Sequence, residues 1–220
     1  YVLRPRLPWP DHAESVPSVE GYPMAGSGTN DASRAQKLES KRRILKLTSL
    51  LLVGGFLLNF IATFFHPSGS EDDHNAIFSK YSDSDAWITI HLGQFIGVLI
   101  ALAGLLVLYR VLALGGEAPL LARFAAGATI ATAATWAVLQ AVDGVALKQA
   151  VDAWTEASGT GKAIRFADAE TVRWVEWGVQ SYFRVLLALT FVLFGATILM
   201  TRVVASWLGW IAVLMGSLSA

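Results

Sequence analysis

The 220-residue chain contains no cysteine, which removes disulfide scaffolds, thiolate metal sites and thiol nucleophiles and leaves the redox compartment unreadable. Charge is scarce as well: Asp, Glu, Lys and Arg make up 15% of the residues, against about 25% in soluble domains. The 17 Lys and Arg balance the 17 Asp and Glu. There is therefore no basic footprint for a nucleic acid and no charge excess of the kind that keeps a chain disordered. What is abundant is apolar. The sequence is 54% hydrophobic with a mean hydropathy of +0.50.

A bilayer core about 30 Å thick takes about 20 apolar residues at about 1.5 Å of helical rise each. Five segments approach that length: residues 44–65, 87–109, 124–142, 182–200 and 203–220. They predict an all-α, polytopic transmembrane helix bundle over residues 44–220, behind a disordered cytoplasmic segment, residues 1–43. The fifth apolar run reaches the last residue without a flanking charge, and residue 1 is Tyr. Both features read as a fragment truncated at its C-terminus, with Met24 as an alternative start. The first run is longer than a signal-peptide core and has no Ala-x-Ala exit, so it reads as an anchor.

Cations near the span ends set the expected orientation. Arg34, Lys37, Lys41, Arg42 and Arg43 precede the first span, Arg110 and Arg123 frame the loop between the second and third, and Arg202 follows the fourth. Loop 66–86 is acidic, with Glu71, Asp72, Asp73, Asp83 and Asp85 against Lys80. The N-terminus is thus expected inside and the acidic loop outside. Trp87, Trp154, Trp174 and Trp177 would form an outer aromatic belt, and Trp207 and Trp210 an inner one. The amphipathic stretch 147–157 extends the third span outward. Asp168 is the expected N-cap of a helix leading into the fourth, so that the two form a long hairpin.

Polar residues inside the spans fall in stripes at helical spacing. Asn59, Thr63 and His66 share one face, as do His91 and Gln94. Thr132, Trp136, Gln140 and Asp143 form a third stripe, and Arg173, Glu176, Gln180 and Arg184 a fourth. Each ends, or lies wholly, in the outer half. Ionisable groups in a membrane are costly and turn toward the protein interior. The stripes therefore predict an outward-facing polar cavity lined by His91, Gln94, Gln140, Asp143, Glu176, Gln180 and Arg184. Arg184 is expected to be its deepest charge, paired with Asp143. Gly93, Gly97 and Ala101 predict a close approach of the second span to a neighbouring helix.

Several chemistries compete for these residues. His66, His91 and Asp143 supply imidazole and carboxylate donors suited to zinc, iron or manganese, and a haem held between His66 and His91 is the other cofactor considered. His74 and the neighbouring acids are also on that side, yet no H-E-x-x-H and no calcium-loop order is present. A G-x-S-x-G nucleophile elbow is missing. Residues 159–162 fail as a phosphate loop, because Glu156 and Ala163 stand where Gly and Ser or Thr are required. A carrier would be expected to show broken helices or an internal repeat, and neither is visible.

The run Phe64-Phe65-His66-Pro67, the acidic loop after it, Ala86-Trp87 with His91-Leu92-Gly93-Gln94-Phe95, and Trp207-Leu208-Gly209-Trp210 together resemble a family of uncharacterised multi-pass bacterial membrane proteins of actinobacterial type, classed as a domain of unknown function. The resemblance covers residue 44 to the end. It implies a bacterial plasma membrane and marks His66, His91 and Gln94 as family features, while implying no reaction. The function expected from all of this is non-enzymatic: a binding or accessory protein that holds a small ligand, a lipid headgroup or a partner membrane helix. Two alternatives stand beside it, a metal- or haem-binding membrane enzyme or electron carrier and a structural subunit of a membrane complex.

Overall fold

The computed structural model describes residues 27–70, 72–114 and 118–219. Residues 1–26, which include most of the segment expected to be disordered, lie outside the described residues, as does Glu71 of the acidic loop. The described residues form six helices and no strand: α1 Ser27–Phe64, α2 His74–Ser82, α3 Trp87–Leu114, α4 Pro119–Glu156, α5 Thr160–Thr201 and α6 Ser206–Ser219. Two units, residues 1–38 and 39–220, divide the chain. In the first, the side chains of residues 31–38 are exposed. All that follows concerns the second.

Four helices, α1, α3, α4 and α5, are long and apolar enough to cross a membrane, so the chain is membrane-embedded and the all-α bundle is the fold. The expected fifth span is an apolar helix of 14 residues. Helix also begins earlier than expected. Residues 27–43 belong to α1, because their Ala, Arg, Gln, Lys, Leu and Glu are good helix formers; Glu39 and Arg43 add an exposed i,i+4 ion pair at 3.1 Å.

Two cores hold the second unit together. At one end, Leu102, Leu105, Leu108 and Leu112 of α3 pack with Ala122 and Ala125 of α4 and with Phe194 and Ile198 of α5. Helix backbones approach closely there through small residues, as Gly93, Gly97 and Ala101 led us to expect. A methyl group placed on Gly97 would lie 2.6 Å from the backbone nitrogen of Asn59 in α1, and one on Gly195 would lie 2.6 Å from the carbonyl of Gly209 in α6. At the other end, Ile77, Phe78 and Tyr81 of α2 meet Trp87 of α3, Leu147, Val151 and Trp154 of α4, and Ala169 of α5.

That second core exists because α4 and α5 outrun the bilayer. The 42 residues of α5 span about 63 Å, twice the hydrocarbon thickness. The expected hairpin is present, but Asp168 does not cap it. Helix α5 opens at Gly159, whose φ of +60° favours glycine, and Asp168 is an exposed mid-helix residue 3.2 Å from Arg165. Trp87 and Trp154 are likewise not a surface belt. Both are buried in the second core, since α2, unforeseen within loop 66–86, covers them; Trp174 is exposed.

Candidate metal centre

Three elements of this capped end bring His66, His91 and Asp143 together. Helix α1 ends at Phe64, and the N–H groups of Phe65 and His66 bond the carbonyls of Ala62 and Thr63 at 3.2 and 3.0 Å. His66 thus sits on the turn leaving the helix, where Pro67 cannot continue it. Its Nδ1 lies 2.8 Å from the Pro67 carbonyl. A carbonyl only accepts, so Nδ1 carries the proton and Nε2 is left with a free lone pair. His91, one turn into α3, repeats the arrangement: its Nδ1 donates to the Trp87 carbonyl at 2.9 Å. Its Nε2 lies 3.2 Å from Asp143 Oδ2.

Asp143 is presented by a change of helical form. Residues Val142–Leu147 make a π-helical turn within α4, and such turns recur at functional sites because the extra residue re-aims a side chain. Gly144 makes the turn compatible with α3: a methyl group there would stand 2.9 Å from His91 Cβ. The Gly144 carbonyl in turn accepts from the indole N–H of Trp87 at 3.0 Å. The donor atoms of His66, His91 and Asp143 all lie within 4.8 Å of one another. Burial, reinforced by the neighbouring His91, lowers the His66 pKa below its ordinary value. His66 is thereby held in the neutral form that a metal requires.

The triad opens onto a polar cavity of about 620 Å³ lined by His66, Gln94, Gln140, Asp143, Glu176, Gln180 and Arg184, with Arg173, Tyr81 and Trp136. Six of the seven expected ligand-binding residues thus share one cavity. His91 is the seventh; it stands behind Asp143 and borders a smaller apolar pocket with Ile88 and Gln140. Gln94 is tied back to α1, its Nε2 donating to Thr63 Oγ1 at 3.1 Å. Burial pushes the Tyr81 phenol up to about 12, so it stays protonated.

The expected Arg184–Asp143 pair does not form. Arg184 is exposed, and its nearest polar partner is Gln180 Oε1 at 3.4 Å. The buried cation is Arg173, whose Nη1 donates to Glu176 Oε2 at 2.7 Å, with its guanidinium 5.2 Å from the Trp177 ring centroid and 5.9 Å from that of Tyr81. A stripe specifies a helix face but not what stands across from it, and Asp143 faces His91 because of the π turn. His74 is also apart from the triad, paired with Glu170 at 2.8 Å beside Asp72 and Asp73.

Sequence reasoning missed Tyr81 and the π turn and undervalued Arg173. The first had a signal: Asp73, whose side chain caps α2 by accepting from the Ala76 N–H at 3.0 Å, precedes Ile77, Phe78 and Tyr81 at helical spacing. Arg173 and Glu176 are three apart and so neighbours on a helix face.

Four buried polar atoms of residues that line the cavity have no hydrogen-bond partner among the described residues: Trp136 Nε1, Gln140 Oε1, Asp143 Oδ1 and Arg173 Nε. Unsatisfied buried groups are rare in native proteins because each costs about 1–3 kcal/mol. No protein-family model matches the chain, and no curated protein and no solved structure matches it either.

Proposed function

We propose that this is an integral membrane protein that binds a divalent transition metal, zinc or iron, through His66, His91 and Asp143, and presents it to a small polar ligand in the adjoining cavity. The observation that carries this reading is the pair of imidazoles whose Nδ1 protons are both committed to backbone carbonyls. Carbonyl partners of that kind fix the tautomer and orientation of metal-bound histidines. Two imidazoles and one carboxylate are a donor set of zinc and of non-haem iron centres, which keep a position for water or substrate. Donors about 2.0–2.1 Å from zinc stand about 3.3 Å apart. The His91–Asp143 distance of 3.2 Å has that spacing already. The His66 donor atom lies within 4.8 Å of both.

Haem is a poorer match. The His66 and His91 ring centroids are 5.1 Å apart and tilted by 64°, with the Trp87 ring 4.3 Å from His91, and no slot for a macrocycle separates them. A purely structural role for the polar stripes is also less well supported, since groups that glue helices are hydrogen-bonded to one another. The Lys and Arg bias supports a cytoplasmic N-terminus. With the resemblance to bacterial multi-pass proteins, it supports the reading in which the capped end faces outward from a bacterial plasma membrane.

The test is the metal content of the detergent-purified chain, wild type beside His91→Ala and Asp143→Asn. About one equivalent of zinc or iron is expected in the wild type and almost none in either variant. A wild type that takes up neither metal, even when supplied with it, defeats the reading.

A further inference from the structure

Toward the apolar end of the bundle, the polar cavity is succeeded by an apolar one. This second cavity, of about 150 Å³, lies between the same four helices. It is lined by Phe56 and Asn59 of α1, Val98 of α3, Trp136 of α4, and Phe183 and Leu187 of α5, with Leu, Ala and Phe completing it. Its lining follows that of the polar cavity turn by turn. Asn59 stands one turn from Thr63 and Val98 one turn from Gln94. Phe183 and Leu187 stand three residues from Gln180 and Arg184, and Trp136 belongs to both walls. Residues three and four apart on a helix are neighbours on one face, so the two cavities are successive levels of one interhelical space. The Trp136 and Phe183 rings, with centroids 4.7 Å apart, mark the boundary.

Polarity changes across that boundary. On one side, Arg173 and Arg184 balance Asp143 and Glu176 in the lining, and a divalent ion on the triad tips that balance to positive. On the other, none of the lining residues is charged. An apolar cavity of this size stays dry and takes an apolar guest. Left empty it costs stability, because its lining loses contacts. The helices around it are long and apolar enough to cross a membrane, where hydrocarbon is the guest at hand.

We propose that the ligand of the metal site is a single-chain amphiphile, with its anionic oxygen headgroup on the metal and its hydrocarbon chain in the apolar cavity. The proposal deepens the metal reading above and rests on it. Zinc and non-haem iron centres with three protein ligands keep a position for an oxygen donor. A cavity of about 150 Å³ holds a guest of about the size of benzene, so one chain end fits and the paired chains of a diacyl lipid do not.

The experiment titrates the zinc-loaded full chain in detergent with acetate, butyrate and octanoate, and with inorganic phosphate beside octyl phosphate, each against protein-free micelles. In at least one series, affinity is expected to rise about fourfold for each methylene that enters the apolar cavity. The longest probe then binds at least about tenfold more tightly than the shortest, and the head that binds more tightly identifies the headgroup. Chelating the zinc is expected to weaken the long probe at least about tenfold. Val98→Phe and Leu187→Trp, each filling the cavity, should bring the long probe down to the affinity of the short one while zinc uptake stays unchanged. Ala137→Phe fills instead the separate apolar pocket beside Ile88 and His91 and should leave the chain-length gain intact.

Zinc bound with no gain from chain length overturns the amphiphile and leaves the metal reading standing. A gain that survives both filling variants does the same, as does one that Ala137→Phe abolishes. Should a filling variant lose zinc, the chain-length series in the wild type decides alone. No zinc uptake overturns the metal reading and this proposal with it.

Discussion

The two ends of the bundle treat buried polarity in opposite ways. In the apolar end, the hydroxyls of Thr129, Thr132, Thr190 and Thr197 each donate to a backbone carbonyl four residues earlier, at 2.7–2.8 Å. Thr132 and Thr190 also meet across α4 and α5 at 3.0 Å. That end meets its polar needs within the helices and packs through Gly, Ala and Leu. At the capped end, four buried side-chain atoms of residues lining one cavity have no partner among the described residues. Thr48 Oγ1 in α1 is the remaining unpartnered buried side-chain atom among the described residues, and nothing in the structure explains it. The contrast is between polarity satisfied within the helices and polarity that the described residues leave unpaired.

The sharpest way to break the capped end is to unpair its buried charge. Arg173→Ala strands Glu176, which is 2% exposed, and is expected to cost about 3–5 kcal/mol. Arg173→Ala with Glu176→Ala should recover much of that loss. Unfolding in mixed micelles measures both, and a double variant no better than the single one removes the pair from the account. Gly144→Ala comes next. Its methyl group would push on His91 and lower metal affinity by about 10–100-fold, as disturbed supports of metal ligands do. Competition with a chelator reads that change, and an unmoved affinity dissociates the π turn from the site.

The apolar end is tested at Gly55, where an added methyl group would run into the backbone of Gly97 and Ala101. Gly55→Ala is expected to cost about 1–3 kcal/mol by overpacking and to leave the metal stoichiometry unchanged. A variant that loses metal along with stability would show that the two ends are not independent. The smallest effect is reserved for Arg184→Ala. Exposed, and without an ion pair among the described residues, it should shift stability by no more than about 0.5 kcal/mol, whereas a buried Arg184–Asp143 pair would demand several. Thermal unfolding in detergent separates the two.

Much of the candidate site was legible because helical period is rigid. Residues three and four apart must share a face, so Gln140 with Asp143 and Glu176 with Gln180 could be grouped from spacing alone. The cost of polar groups in a bilayer then says that such faces point inward. His66, His91 and Asp143 could be named together because their residue types are metal donors at a common depth. Pairing across helices was not legible. Arg184 was matched to Asp143 by sign and depth, but the contact depends on helix rotation and on a π turn, and neither leaves a mark in a hydropathy pattern.

The sequence by itself determined that the chain enters a membrane, which segments are apolar and which faces are polar, because those follow from local composition and the 3.6-residue repeat. Only the tertiary structure decided which polar groups meet. The folding of α2 over the end of the bundle, the π turn at Asp143 and the close seating of Gly144 against His91 arise from contacts between segments far apart in the chain. Such contacts set the azimuth and register of each helix, and their energies belong to the packed assembly rather than to any stretch of residues.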